Sequence, residues 1–434
     1  MIFTMKPKQI NQHQDCFFEY RLSEQLNPHH ELFIFSKFFD WETLEGSFKD
    51  EFVSEVGAPA KPVRLVIGTM ILQHMYGYSD EEVVSNWLEN PYWQCFCGYD
   101  YLQWGFPIYA TTLTRWRKRI GVEGVEKVLR LVVKSALRVK VVSKNSLKKA
   151  IVDTTVMPKA ISYPTDARLY ARGIKELVCF AKSSGIELRQ TYSKLSPRAL
   201  RKVSCFIHSR KIKKAKREIK RLKTYLGRVF RDLLRKMKDH KKLQERAAPV
   251  IETIRSILLQ EREDTNKVYS IHEPHVECIS KGKAHKKYEF GCKASIVLTH
   301  KEGLALSIQA LHGNPYDGHT LKQSLEHAEK ISDEPIHKTF VDRGYKGHGI
   351  KNREIIISGS RKKMHWRKWK EMSRRQAIEP HIGHIKSDGK LGINYLKGKL
   401  GDQLNALLCA VGHNGRLIVN FLKSLQRKQC LANS

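Results

Sequence analysis

No apolar run in this 434-residue chain approaches the roughly 20 residues that a membrane-spanning helix needs. The opening residues, Met1-Ile2-Phe3-Thr4-Met5-Lys6, do not lead into an apolar core followed by a small-residue cleavage site. Neither a membrane span nor a secretory leader is expected, and a cytoplasmic location is. The nine cysteines are an odd number without framework spacing. Cys95-Phe96-Cys97, the one close pair, has a single intervening residue where zinc motifs use two. Buried free thiols in a reducing compartment follow. The 19 histidines are scattered, with no His-Glu-x-x-His element; for His381 and His384, three apart, metal-binding, structural and DNA-facing roles all stay open. There is no internal repeat and no low-complexity segment. Acid is scarce too: 44 Asp and Glu stand against 78 Lys and Arg, a formal charge of +34. A surplus of that size favours a polyanionic partner, with membrane lipid the weaker candidate.

What is present sorts into regions. Length alone suggests about three units at roughly 150 residues each. Residues 1–45 are mixed and read as an N-terminal extension. Residues 46–140 read as helical. From Pro62, apolar residues recur at three and four (Val63, Val66, Ile67, Met70, Ile71) until Gly77-Tyr78 stops them. Ser79-Asp80-Glu81-Glu82 then has the form of a capping box opening a second helix through Trp87 and Leu88. The pair resembles a helix-turn-helix, and a further helix over Thr112–Ile120 carries Arg115, Arg117, Lys118 and Arg119. Those four are the candidate DNA-binding residues here, the alternative being a plain helical bundle with a solvated basic edge.

Residues 141–425 read as an α/β domain interrupted at about 163–265 by a basic helical insertion, with a tail at 426–434. Between Ser196 and Arg246 there are 20 Lys or Arg and four acids, net +16 in 51 residues. An apolar seam (Ile212, Ala215, Ile219, Leu222, Leu226, Val229, Leu233) argues for a packed helix, not a disordered tail. A second helical pattern begins after Pro249, so the insertion is expected to be an antiparallel helical pair whose charged face meets phosphate. Strand patterns lie over Lys148–Val156, Tyr288–Leu298, Leu304–Ala310, His337–Asp342 and Glu354–Ser358, the second and third forming a hairpin across Lys301-Glu302-Gly303. Helices are expected over His319–Ile331, from Ser373 up to the glycines at 383 and 389, and over Leu404–Leu422.

Three acids stand out in that frame. Asp153 and Asp342 lie on apolar, β-branched strands, and Glu379 lies on a basic helical segment. Two strand-borne Asp and one helix-borne Glu are the hard-oxygen ligands with which two Mg²⁺ (or Mn²⁺) ions, about 3.5–4 Å apart, promote phosphodiester transfer. The order of elements matches a ribonuclease H-like catalytic domain, a mixed β-sheet flanked by helices.

The motifs Asp153-Thr154-Thr155, Val341-Asp342-Arg343-Gly344-Tyr345-Lys346-Gly347 and Ala377-Ile378-Glu379-Pro380-His381-Ile382-Gly383-His384-Ile385-Lys386 resemble the three acidic motifs of bacterial DDE transposases, most closely the group built around the fifth insertion-sequence family. Tyr163-Pro164-Thr165-Asp166-Ala167, Lys281-Gly282-Lys283, Asn394-Tyr395-Leu396-Lys397-Gly398 and Asn90-Pro91-Tyr92-Trp93-Gln94 extend the likeness over about residues 40–425. The family places an Arg four residues before the Glu and a Lys seven after it, which Arg375 and Lys386 satisfy; its Tyr three before that Arg is Met372 here. The resemblance implies that Asp153, Asp342 and Glu379 are catalytic and metal-binding, that Arg375 and Lys386 contact DNA near the scissile phosphate, and that the enzyme is nucleoid-associated in a bacterial cytoplasm. It further implies double-stranded DNA partners, namely the terminal inverted repeats and the target, a homodimer holding paired ends, and no covalent enzyme intermediate. Two competitors share the same acids: a ribonuclease H-like nuclease that only hydrolyses, and a non-catalytic DNA-binding protein derived from a transposase. The large helical regions argue against the first, and the presence of all three acids against the second.

Overall fold

A computed structural model of the chain describes residues 20–48, 60–261, 263–280, 287–359 and 366–433. The Lys281-Gly282-Lys283 match lies outside them. In chain order the helices and strands are α1 (Leu22–Gln25), α2 (Glu31–Phe38), α3 (Trp41–Ser47), α4 (Val63–Tyr76), α5 (Asp80–Glu89), α6 (Pro91–Phe96), α7 (Ala110–Arg138), α8 (Lys144–Leu147), β1 (Lys149–Pro158), α9 (Asp166–Ser183), α10 (Leu195–His208), α11 (Ile212–Lys236), α12 (Lys241–Leu259), β2 (Glu277–Ile279), β3 (Glu289–Thr299), β4 (Ala305–Leu311), α13 (Asp317–Ser332), β5 (Lys338–Val341), β6 (Glu354–Ile357), α14 (Trp366–Ser373), α15 (Ile378–Ser387) and α16 (Gly398–Asn433). They fall into two compact units, Met1–Pro158 with Lys293–Ser434, and Lys159–Cys292.

In the first unit the sheet runs β3-β1-β5-β6, with β4 paired to β3. β1, β5 and β6 are parallel, with Ile151 opposite Phe340 and Val341 opposite Ile357; β3 and β4 form the expected antiparallel hairpin. Ala150 to Met157 are buried throughout except Asp153, as befits a strand covered on both faces. The helical N-terminal region starts as its sequence suggests. Gly77 closes α4 in the left-handed conformation (φ 73°), and Ser79 and Glu82 form the capping box of α5. α4 is buried nearly all round. α16 lies against it so closely that a Cβ on Gly412 would strike the His74 carbonyl, and one on Gly415 would stand 2.7 Å from Met75 Sδ. The same α16 also serves the sheet. Asn414 accepts from Ala305 N–H and donates to its carbonyl, both at 2.8 Å, and Gln403 does the same for Ala310. The eleven helical steps and five strand steps between these anchors both span about 16.5 Å, so two amides on one helix meet the strand like a partner strand.

Glu126 on α7 takes a second contact with α13, accepting from Lys330 Nζ at 2.6 Å and lying 3.0 Å from His327 Nε2. The hydrogen bond from His327 leads, against the opposing cost of burial, in holding its carboxyl down at about 2, with Lys330 adding to it. A carboxylate more acidic in the fold than in the open chain stabilises the fold above its ordinary pKa of 4.5 and loses that contribution as pH falls towards 2. Melting curves of Glu126→Gln and the parent protein are expected to differ by about 1–2 kcal/mol at pH 6 and to converge as pH drops from 4.5 towards 2; a difference that persists at pH 2 would show that packing, not charge, is responsible.

The second unit is helical. α11 turns Leu222, Leu226, Val229 and Leu233 towards α9 and α12, with Tyr170, Ile174, Leu177, Ile254 and Ile257 completing the core. It holds four helices, not the single pair expected, because α9 and α10 cover the face of α11 that two helices would leave bare. α12 begins eight residues before Pro249, which stands inside the helix on its exposed side. β2 pairs antiparallel with the first residues of β3, Glu277 opposite Gly291.

Candidate active site

The first unit brings two of the three motif acids together. Asp153 projects from the middle of β1. Asp342 follows the last residue of the neighbouring parallel strand β5 and caps a short 3₁₀ turn, accepting from Gly344 N–H at 2.8 Å. Between them sits Arg375: its Nη2 is 3.3 Å from Asp153 Oδ2 and 3.8 Å from Asp342 Oδ2. The expectation of one continuous helix from Ser373 up to the glycines is corrected here. Residues Arg374–Ala377 form a 3₁₀ turn before α15, and the tighter winding directs Arg375 to the aspartates, away from Glu379. Glu379, second residue of α15, is exposed and forms no hydrogen bond or ion pair among the described residues. Lys386 is half-buried on the same helix, which runs through Gly383 unbroken.

Two further groups complete the surroundings. Asp317, first residue of α13, accepts through Oδ1 from Thr154 Oγ1 and from Lys293 Nζ, each at 3.0 Å. Its Oδ2 faces Gly344, where an added Cβ would lie 3.4 Å from it and 3.0 Å from Asp342 Oδ1. Gly344 therefore leaves the space between the two carboxylates open. Tyr345 is fully buried, and its hydroxyl has no hydrogen-bond partner among the described residues. Burial first, and then the charges of Asp153, Asp317 and Asp342, push that phenol well above its usual pKa, with Arg375 pulling the other way. Sequence reasoning missed Asp317 because an acid in the first turn of a helix is an ordinary partner for the macrodipole. Its one distinguishing signal is its place in Asn314-Pro315-Tyr316-Asp317-Gly318, a turn directly after a strand.

A divalent cation suits this donor set in kind, since Asp153 and Asp342 offer hard oxygens beside an orphan phenol. The set is short in number: among the described residues no three acid, His or Cys side chains are grouped to hold a metal ion. The positive charge between the aspartates is supplied by the guanidinium of Arg375.

Of the four candidate DNA-binding residues on α7, Arg115 and Lys118 are exposed and Arg119 is half-buried. Arg117 is corrected. It is 4% exposed, and its two terminal nitrogens reach Asp80 at 2.9 and 2.5 Å and Gln73 at 2.7 Å. It ties α7 to α4 and α5 and is not offered to a ligand. α7 also runs past the expected Ile120 as far as Arg138, interrupted only at Gly121, whose φ of 58° another residue would resist.

Residues 20–119 match the family model described as a transposase domain of the DUF772 type, and residues 267–414 match the transposase DDE domain. A Rhizobium meliloti protein described as uncharacterized protein ORF8 in the nfe locus is 42% identical over 206 residues, which cover 48% of this chain and 99% of that protein. No solved structure matches. No described helix is long and apolar enough to cross a membrane. With a helical transposase domain preceding a mixed sheet that joins two motif aspartates on adjacent strands, the chain belongs to the insertion-sequence DDE transposases and its catalytic domain is ribonuclease H-like.

Proposed function

We propose that this transposase binds the terminal inverted repeats of its element and catalyses metal-dependent DNA cleavage and strand transfer. The observation that carries this reading is the convergence of Asp153 and Asp342 on one cationic group, Arg375. Like charges on adjacent strands repel unless a counter-charge stands between them. Asp153 and Asp342 would hold a divalent ion, Mg²⁺ or Mn²⁺, which supplies neutralisation of charge at the reacting phosphate. The motif assigns Glu379 the third ligand position and a pair of ions to the full set. Arg375 then has a second role, the one its motif implies. With the aspartates neutralised, its guanidinium is free for a DNA phosphate, for which its planar donors are suited. Lys386 is proposed to contact the same strand. Arg115, Lys118 and Arg119 on α7 are proposed to contact the terminal repeat beside the α4–α5 helix pair, and a homodimer would hold two ends.

The test is an assay of paired element ends with Mg²⁺, scoring cleavage and joining separately. Cleavage followed by joining supports the reading; cleavage alone would assign a nuclease, and binding alone a non-catalytic protein. Within it, Arg375→Ala is expected to slow single-turnover cleavage at least about tenfold. The melting temperature, measured with Mg²⁺ present so that an ion can stand in for the lost counter-charge between the aspartates, is expected to stay near that of the parent. A large fall in melting temperature with normal cleavage would make Arg375 a structural residue.

A further inference from the structure

The second unit carries a surface whose chemistry identifies what it holds. Along α11, Lys213, Lys216, Lys220, Lys223 and Arg231 fall within about 60° of one line at 100° per residue. The apolar residues Leu222, Leu226, Val229 and Leu233 occupy the opposite side. The two acids of α11 are elsewhere and already engaged. Glu218 pairs with Arg221, while Asp232 is buried, accepts from Arg189 N–H and pairs with Arg235. None of the five cations on the stripe forms an ion pair among the described residues.

The stripe opens into a groove of about 630 Å³ between α11 and α12, lined by the four cations Lys220, Lys223, Arg231 and Arg255 together with Gly227 and the apolar Phe230, Leu258 and Leu259. No acid lines it. A Cβ on Gly227 would stand 3.2 Å from Arg231 Nη1, so that guanidinium lies folded back along the helix over Gly227. Leu259 is 72% exposed at its edge, an apolar side chain in water beside four cations.

We propose that this groove, with the stripe leading into it, seats the sugar-phosphate backbone of duplex DNA. The inference rests on the reading that the chain handles DNA, and it names the surface of the insertion that does so. From Lys213 to Arg231 the stripe extends about 27 Å, and one strand presents a phosphate charge about every 3.4 Å of axis. An acidic peptide would need only a few cations and gains nothing from the remaining length. The four cations around the groove place charge on both walls, which a backbone passing between them would meet from two sides. Leu259, with the half-buried Leu258 beside it, offers apolar contact to deoxyribose, whose carbon-rich face suits it better than water does.

The test uses the full chain and a 30-base-pair duplex of arbitrary sequence, with affinity measured against salt. Changing Lys220, Lys223, Arg231 and Arg255 together to Gln is expected to lower the slope of log K against log salt by up to about 3.6, at about 0.9 for each phosphate that is no longer neutralised. A control variant removes the same charge from the exposed Lys238, Lys241, Lys242 and Arg246, which do not line the groove, and is expected to change the slope by less than about 1. Leu259→Glu, at a site too exposed to support the core, is expected to weaken binding at least tenfold with an unchanged melting curve. A groove variant that keeps the parent's slope, or a control variant whose slope falls as far, would overturn the proposal while leaving the transposase reading intact. A parent protein without salt-dependent duplex binding would remove both.

Discussion

Asp342→Asn is expected to reduce cleavage of element ends by at least about 10²–10³-fold, with affinity for the terminal repeat nearly unchanged. The amide keeps the shape and can still accept from Gly344 N–H, as Asp342 Oδ1 does at 2.8 Å, so the turn after β5 should hold. What is lost is charge. Asp342 faces Arg375 at 3.8 Å from its other oxygen, and in the loaded site that oxygen is proposed to face a cation. The same substitution at Asp153 should act in the same direction. An amide there could likewise accept from Thr154 N–H, as Asp153 Oδ1 does at 2.7 Å, but the Asp153 side chain is 19% exposed against 40% for Asp342 and lies nearer Arg375, at 3.3 Å, so a change there also disturbs more of its surroundings. Asp342 is therefore the cleaner probe. Joining of ends at near the parent rate by Asp342→Asn, with Mg²⁺ present, would take the acid out of the chemistry.

Arg117→Ala should cost stability on the scale of a broken buried ion pair, about 3–5 kcal/mol, and lower the melting temperature by roughly 5–15 °C. The guanidinium is 4% exposed, and its removal would leave the Asp80 carboxylate without its counter-charge and the Gln73 amide oxygen without this donor. Desolvation alone would push the Asp80 carboxyl up, but Arg117 outweighs it and holds the carboxyl below its usual value, so the pair is fully formed at neutral pH. Arg115→Ala and Lys118→Ala, both at exposed positions of the same helix, should change stability by less than about 0.5 kcal/mol. These two should instead flatten the salt dependence of binding to the terminal repeat, by about one unit of slope for each phosphate contact. If Arg117→Ala melts like the parent but loses repeat binding, Arg117 belongs with the DNA-facing residues after all.

These two residues mark where sequence reading reaches and where it stops. Local rules carried the capping box at Ser79 and Glu82, the glycine stop at Gly77, the strands bearing Asp153 and Asp342, and the packed seam of α11, because each depends on neighbours a few positions away. Arg117 and Arg115 differ only in which side of α7 faces Asp80, and two arginines on one helix are alike until the partner helix is placed. The destination of Arg375 depended on an assumption of 3.6 residues per turn that the 3₁₀ segment breaks. Asp317 and the phenol of Tyr345 came into view only when strands far apart in sequence closed around them.

The double attachment of α16 has a consequence for how the molecule comes apart. One side of this helix is pressed to the backbone of α4 through Gly412 and Gly415, and its amides hold β4 at both ends. The region before β1 and the sheet after the insertion therefore share one rigid beam, supplied by a helix that follows both of them in the chain. Neither part has its interior complete without that helix, so the described residues before β1 and the sheet should melt in one cooperative step, and a chain truncated before α16 should be left with both halves open to proteases.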